Sequence, residues 1–369
     1  MEKEQLHVAM LIGALGRGGT ERVLVNLSEY LVGRGIRVTV ITQYQKENEY
    51  PLNPQVKRII SDITEKECSK SRMVNFKRRF GKLRNIWKQE RPDVILSFIG
   101  KNNMMAVLTS RFLKIPVAVA VRGEPTMEYY NRWMRFAAKN LFKLADGVIL
   151  QTKQCFDFFP GAVQKKAVIL KNPVNLSFFR NRYEGEREKT IVAVGRVDAN
   201  KNHEMLIRAF VDIAEAYPEY KLMIYGEGEL KEKLKELVGK LGMQERIYLP
   251  GVVSNVPDVI YKASVFVLPS NTEGVPNTLI EAMISGLTVI ATDCPCGGPA
   301  DLIKDGVNGL LTPVENVEKM KDNLQKVLSD PQMADEMGIK ASETGDIYRP
   351  EKVYKEWENY LISLAFRRK

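Results

Sequence analysis

The chain has only two histidines, His7 and His203, and four cysteines, Cys68, Cys155, Cys294 and Cys296. Such sparing use of both fits a reducing compartment. The pair Cys294-Pro295-Cys296 has the wrong spacing for a zinc knuckle, and no second pair completes four ligands. Long apolar runs are missing too. Val8–Leu15 is short and holds Gly13, and nothing approaches the roughly 20 residues that a transmembrane helix needs. Nothing at the start reads as a signal peptide, so the expected location is the cytoplasm. Low-complexity tracts and short-period repeats are likewise absent. No nucleic-acid-binding module or aromatic-interleaved basic strand occurs, so no nucleic-acid partner is expected.

What is present is a 369-residue chain, comfortable for two domains. Its net charge of +10 is unevenly spread. Residues 1–172 hold 30 Lys/Arg against 15 Asp/Glu, whereas residues 173–369 hold 25 against 30. A basic first half and an acidic second half imply that one face meets a polyanion or an anionic membrane. Both halves alternate strands with helices, the signature of doubly wound parallel sheets. In the first half, strands are expected at His7–Ile12, Arg37–Thr42, Asp93–Phe98, Pro116–Val121 and Gly147–Gln151. In the second they fall at Thr190–Val194, Lys221–Tyr225, Ile247–Leu249, Val265–Leu268, Thr288–Thr292 and Gly309–Leu311. The polar turn Lys171-Asn172-Pro173-Val174-Asn175 marks a linker, giving domains 1–172 and 173–349. Tyr354, Trp357, Tyr360, Leu361 and Leu364 recur at three- and four-residue steps, which makes residues 350–369 an amphipathic helix.

Ligands of open parallel sheets bind at the carboxyl ends of strands. Four loops there stand out. Gly13-Ala14-Leu15-Gly16-Arg17-Gly18-Gly19-Thr20 opens a helix and lets backbone N–H groups approach a phosphate. It lacks the G-x-G-x-x-G spacing, and the second strand ends without an acid for a ribose, which argues against a nicotinamide enzyme. Gly195-Arg196-Val197-Asp198-Ala199-Asn200-Lys201-Asn202 offers a guanidinium fork and an ammonium to a diphosphate, although two solvated surface cations would read the same way. His203 beside them reads as a helix-start residue rather than a base. Tyr225-Gly226-Glu227-Gly228 is a turn compatible with close backbone approach to a ligand. The fourth loop runs from Pro269 to Met283 and holds Glu273 before a helix that starts near Pro276, with Glu281 one turn inside. A carboxylate accepts from two hydroxyls at once, as a ribose or sugar diol requires, and helix-start N–H groups can meet a sugar or phosphate.

Glu273-Gly274-Val275-Pro276 followed by Glu281 resembles the Glu-x7-Glu pattern of retaining glycosyltransferases of family 4, which have the GT-B fold. The likeness runs along nearly the whole chain: Gly18-Gly19-Thr20-Glu21-Arg22-Val23, Gly195-Arg196 with Lys201-Asn202, then Thr292-Asp293-Cys294, Gly298-Pro299 and Gly306-Val307-Asn308-Gly309-Leu310. The resemblance implies two Rossmann-like domains facing across a cleft, with the tail helix returning to the first. It implies that Arg196 and Lys201 hold the diphosphate of a nucleotide sugar, Glu281 its ribose and Glu273 its sugar. Gly18, Gly19, Gly195, Gly226, Gly274, Val275, Pro276, Asn277 and Thr278 would line the donor. The donor expected is a UDP-sugar carrying a hexose or N-acetylhexosamine, and the acceptor a glycan, polyprenyl-diphosphate-linked as in many members. Asp-x-Asp occurs nowhere in the chain, so no metal is expected to hold the diphosphate. Many members have a histidine after the strand that reads here Ala118–Val121. This chain has Arg122-Gly123-Glu124-Pro125, so Arg122 or Glu124 takes that place. A sugar-nucleotide epimerase of the same fold and a non-catalytic partner subunit are the alternative readings.

One segment fits a membrane. Residues 66–91 hold ten Lys/Arg against Glu67 and Glu90, with Met73, Phe76, Phe80, Leu83 and Trp87 at helical steps. Either that stripe packs on the sheet and leaves only cations exposed, or it lies in a lipid interface at the inner face of the plasma membrane.

Overall fold

A computed structural model describes residues 5–16 and 18–367; Arg17, within the first glycine-rich loop, lies outside the described residues. The chain divides into two compact units, Met1–Asn172 with Glu351–Lys369, and Pro173–Pro350.

In the first unit seven parallel strands are described: β1 (His7–Ile12), β2 (Arg37–Thr42), β3 (Lys57–Ile60), β4 (Val94–Phe98), β5 (Val117–Ala120), β6 (Gly147–Leu150) and β7 (Ala167–Ile169). Their spatial order is β3-β2-β1-β4-β5-β6-β7. The second unit has β8 (Glu188–Val194), β9 (Lys221–Tyr225), β10 (Ile247–Gly251), β11 (Ala263–Leu268), β12 (Thr288–Asp293) and β13 (Leu310–Pro313), in the order β10-β9-β8-β11-β12-β13. Both sheets reverse winding direction at the same place, between β1 and β4 and between β8 and β11. At such a switch point neighbouring crossovers leave in opposite directions and open a crevice beyond the carboxyl ends of the strands.

The expected strands are all present. Two more, β3 and β7, have no counterpart in the sequence reading. They are short edge strands, Lys-Arg-Ile-Ile and Ala-Val-Ile, partly exposed and without period-two alternation. The apolar periodicity of residues 204–216 reads as one helix, but the helix is His203–Val211, followed by turns in which Ile213 and Ala214 stay buried. Burial thus kept the helical periodicity going after the helix had ended. The tail helix Pro350–Phe366 seats Val353, Trp357, Leu361 and Leu364 in the core with Val8, Met10 and Ile12 of β1. The Trp357 ring stacks on Phe98, centroids 6.3 Å apart, and its Nε1 donates to the Lys171 carbonyl at 2.9 Å.

The basic segment forms the helix Arg72–Glu90, ended by Arg91 in the left-handed region at φ 44° before Pro92. Its stripe divides. Leu83, Ile86 and Trp87 are buried, with Trp87 Nε1 donating to Thr109 Oγ1 at 2.8 Å. Met73, Val74 and Phe76 in the first turns are exposed.

Both histidines are buried and held neutral, each with its pKa lowered from 6.5 to about 4, first by burial and then by a neighbouring cation, Arg37 for His7 and Lys201 for His203. The Arg37 guanidinium lies 2.6 Å from His7 Nδ1, so Nδ1 accepts and Nε2 donates to Thr39 Oγ1 at 2.8 Å. A pKa depressed by folding leaves stability intact above 6.5 and removes it as pH falls through 4. Each histidine should therefore withdraw about 3 kcal/mol by pH 4. Scanning calorimetry from pH 7.5 to 4 should show Tm falling most steeply below 6.5, with a shallower fall in His7→Gln and in His203→Gln. An unchanged slope in both variants would contradict it.

Candidate functional site

The loops after β8 and β11 leave the switch point of the second sheet side by side, and side-chain amides join them. Asn200 Oδ1 accepts from the Thr272 amide at 3.1 Å and the Thr272 hydroxyl at 2.6 Å, while its Nδ2 donates to the Thr272 carbonyl at 3.0 Å. Asn271 N–H donates to the Asn200 carbonyl at 2.7 Å, and Asn202 Nδ2 donates to Asn271 Oδ1 at 3.0 Å. Asn202 caps the helix His203–Val211 from the left-handed region, φ 45°, a conformation that asparagine tolerates better than most residues. These contacts fix Lys201 against Glu273. Lys201 Nζ donates to Glu273 Oε1 at 2.5 Å, with both side chains mostly buried, and Ser270 Oγ donates to the same oxygen at 2.7 Å. Glu273 is also clamped through its backbone: its N–H donates to the Pro295 carbonyl at 2.6 Å, and Cys296 N–H donates to its carbonyl at 2.7 Å.

The sequence-derived site residues therefore fall into groups. Lys201 and Glu273 are brought together. An ammonium has three donors, so Lys201 can keep Glu273 and still reach a phosphate. Arg196 is largely exposed and pairs with Asp198 at 3.2 Å, which also accepts from Lys201 N–H at 3.0 Å. Glu281 is buried in the helix Asn277–Ile284. That helix starts from Pro276 with no side-chain cap, preceded by Gly274 and Val275 and opening with Asn277 and Thr278. Gly226 and Gly195 meet each other: a Cβ at Gly226, φ 148°, would lie 1.8 Å from the Gly195 carbonyl oxygen. The glycine at 226 is thus required by the protein's own backbone, whatever else approaches it. A Cβ at Gly298 would lie 1.6 Å from the Gly274 carbonyl oxygen, so the turn after β12 is packed directly on the Glu273 loop. His203 is the first residue of its helix and is buried. Burial, reinforced by Glu273, pushes the Cys294 thiol up to about 12, so it stays protonated. Among the described residues no cluster of His, Cys, Asp and Glu could hold a metal.

In the first unit the glycine loop after β1 ends at Gly18, the N-cap of the helix Gly19–Gly33, which has no side-chain cap. A Cβ at Gly18 would meet the Glu21 carboxylate at 2.3 Å. The loop after β5 departs from expectation. Arg122 is buried, its Nη2 donates to Asn172 Oδ1 and its guanidinium lies over Trp357 at 5.7 Å. Desolvation lowers its pKa to about 10. Glu124 is engaged by its own helix, accepting from Met127 N–H at 2.7 Å and the Thr126 hydroxyl at 2.5 Å. Glu124 is thus engaged within its own turn, while Arg122 is held through Nη2 and its ring contact, with Nε and Nη1 buried and, among the described residues, without a hydrogen-bond partner. The residue that organises this edge was missed. Glu128 accepts from Gly100 N–H at 2.7 Å, Arg122 N–H at 3.1 Å, Gly123 N–H at 3.3 Å and Tyr129 Oη at 3.0 Å, and burial raises its pKa. It joins the loop after β4 to the loop after β5. Only a carboxylate spaced i, i+4 from Glu124 was visible in the sequence, which looks like a solvated helix face.

Comparison with known proteins bears on the fold and the family. Solved structures with the same fold include HepE of Anabaena in complex with UDP (TM-score 0.80, 16% identity, covering 97% of this chain and 100% of that one). Another is sucrose-phosphate synthase of Thermosynechococcus elongatus (0.81, 18%, 98% and 99%). The architecture is GT-B. A sequence relative in Campylobacter jejuni, the GalNAc-alpha-(1->4)-GalNAc-alpha-(1->3)-diNAcBac-PP-undecaprenol alpha-1,4-N-acetyl-D-galactosaminyltransferase, is 26% identical over 356 residues, 95% of this chain and 97% of that protein. The amylovoran biosynthesis glycosyltransferase AmsD of Erwinia amylovora is 27% identical over 361 residues, 95% and 98%. The model for Glycosyltransferase Family 4 matches residues 17–178 and that for Glycosyl transferases group 1 matches residues 177–344, together most of the chain. With those matches and both halves of the fold in place, the chain belongs to glycosyltransferase family 4.

Proposed function

We propose that this glycosyltransferase moves a hexose or N-acetylhexosamine from a UDP-sugar, with retention of anomeric configuration, to a glycan carried on a polyprenyl diphosphate. The observation that carries the donor half is the Lys201–Glu273 pair, fixed by the amide lattice at the switch point of the second sheet. There a cation and a hydroxyl-accepting carboxylate share one crevice. Arg196 and Lys201 neutralise the departing diphosphate, Glu273 grips the sugar, and Glu281 takes the ribose. In this reading Glu273, held by Lys201 and Ser270 through Oε1, grips the sugar and is not the nucleophile. We therefore assign same-face substitution, in which the leaving diphosphate accepts the acceptor's proton. The protein contributes position and charge stabilisation. The two cations do the work that a metal would do elsewhere, so no metal is needed. The acceptor half rests on relatives such as that of Campylobacter jejuni, whose name specifies a diphospho-undecaprenol-linked glycan.

The basic helix Arg72–Glu90 supports work at the inner face of the plasma membrane. No described helix is long and apolar enough to cross it. Of the cations on that helix, Arg79 pairs with Asp62 at 2.6 Å, and Arg78 and Lys82 donate to the carbonyls of Glu67 and Asp62. They are held in place, and the surface keeps a positive excess.

Isothermal titration with UDP in chelator should give binding without added metal. Glu281→Ala should weaken it by roughly tenfold to a hundredfold, the worth of hydrogen bonds to a charged acceptor. Equal affinity in the variant would remove the ribose assignment. UDP release from UDP-sugars should require an acceptor; conversion of the UDP-sugar to its epimer without an acceptor and without UDP release would favour the epimerase.

A further inference from the structure

A second membrane element is legible in the first unit, outside the donor-site residues named above and beginning beside Glu128. Residues 127–144 follow β5 and contain the helix Arg132–Leu141. From Tyr129 to Ala145 there is no acidic residue and there are four cations, Arg132, Arg135, Lys139 and Lys143. Tyr129 and Phe142 anchor the segment from inside, both fully buried and packed edge to face at 5.9 Å. Asn131 Oδ1 caps the helix by accepting from Met134 N–H at 2.8 Å. A rigid element is thereby presented with its largest apolar groups outward: Trp133 is 71% exposed, and Met127, Tyr130 and Phe136 are each 65% exposed.

Single exposed apolar residues are ordinary, but four within the ten residues from Met127 to Phe136 need an occupant. Charge chooses between a soluble partner and a lipid surface. Arg132, Arg135 and Lys139 step by three and four residues and so run along one flank of the ridge. Among the described residues none of them pairs with a carboxylate, and the Arg132 guanidinium lies 5.4 Å from the Trp133 ring centroid. Aromatic rings beside a row of cations are the composition of a helix lying in a headgroup layer, where indole and phenol sit at the interface. The placement agrees. The helices Arg72–Glu90 and Arg132–Leu141 both pack on Gly100–Ser110. Crossover helices of a parallel sheet begin at its carboxyl edge, so Met73, Val74 and Phe76 project near the same rim as Trp133 and Phe136.

We propose that residues 127–144 are an interfacial anchor, whose Trp133/Phe136 ridge enters an anionic bilayer while Arg132, Arg135 and Lys139 hold lipid phosphates. This rests on the membrane part of the reading above and adds to it the element that inserts. The native chain carries its own reporter. Of the three tryptophans, Trp87 and Trp357 are fully buried, so Trp133 is the indole that solvent or lipid can touch. The full-length protein is mixed with phosphatidylcholine vesicles, with or without phosphatidylglycerol, and with vesicles carrying brominated acyl chains. Emission should shift to the blue on anionic vesicles only, and brominated chains should quench it. Trp133→Phe should still bind yet lose the spectral response. The double variant Trp133→Ala/Phe136→Ala should partition at least about tenfold more weakly. The triple Gln variant at Arg132, Arg135 and Lys139 should do so by roughly a hundredfold at low salt. All five side chains lie on the surface or the flank of the helix, and an unchanged Tm confirms the fold. Flotation with anionic vesicles while Trp133 stays silent would overturn the anchor and leave the membrane reading standing on Arg72–Glu90. No flotation on any vesicle would remove both. A blue shift that grows with protein concentration in the absence of lipid would assign the ridge to a second copy of the chain and overturn the proposal.

Discussion

Replacing Lys201 by alanine should lower kcat by roughly 10²–10³, or about 2.7–4 kcal/mol, while KM for the donor changes far less. The asymmetry follows from when charge appears. A bound nucleotide sugar already carries its phosphate charges, but an additional charge grows on the diphosphate as the glycosidic bond breaks, and a contact that strengthens during that step acts on turnover. Lys201 has a further function, because it neutralises Glu273 in a site where both side chains are mostly buried. Alanine there leaves the carboxylate with the Ser270 hydroxyl as its remaining side-chain partner in this contact set. Lys201→Arg keeps the charge but not the compact ammonium, so it should recover part of the loss. Arg196→Ala tests the other arm of the clamp, and because Arg196 is exposed its effect should be the smaller of the two. Steady-state kinetics with donor varied at saturating acceptor checks this. Near-normal kcat in both alanine variants would remove the diphosphate clamp.

Gly298→Ala should cost about 3 kcal/mol of folding stability and abolish most activity, although residue 298 has no chemistry of its own. The added Cβ would sit 1.6 Å from the Gly274 carbonyl oxygen and 3.2 Å from Pro276 Cδ. Neither neighbour is a flexible side-chain end, so the backbone must move. Relief strains the loop that carries Glu273, which is hydrogen-bonded to Asn200 and to the backbone of residues 295 and 296 in the same turn as Gly298. Thermal unfolding should show the lower Tm, and titration with UDP should show weakened binding in molecules that remain folded at low temperature. A variant with normal Tm and normal turnover would mean that the packing of Gly298 against Gly274 is not what sets the loop.

Much of this protein was legible in one dimension. The buried strands His7–Ile12 and Arg37–Thr42 were readable because parallel strands covered on both faces are written as unbroken apolar runs. The linker was readable because Pro173 follows a polar turn, and the tail helix because Trp357, Leu361 and Leu364 keep a helical period. Glu273, Lys201 and Glu281 could be named because the loops after β8 and β11 combine glycine with charge in an order that few families share. Edge strands β3 and β7 were not readable, since an edge position is a relation between strands rather than a pattern within one.

The sequence by itself determined the alternation of strand and helix, the two-unit plan and the family, and it singled out the charged loop residues proposed for the donor site, because local periodicity and loop chemistry are properties of neighbours in the chain. Only the tertiary structure decided what those residues touch. It placed Lys201 on Glu273 across a sequence separation of 72, buried Arg122 against Trp357 and Asn172, and gave Glu128 its four donors. It also divided the basic helix into a buried end and an exposed one, and uncovered the Trp133 ridge. The physical reason is the same in each case. A charged or aromatic side chain has one composition whether it faces solvent, core or partner, and its burial is fixed by elements far away in sequence that only the folded sheet brings beside it.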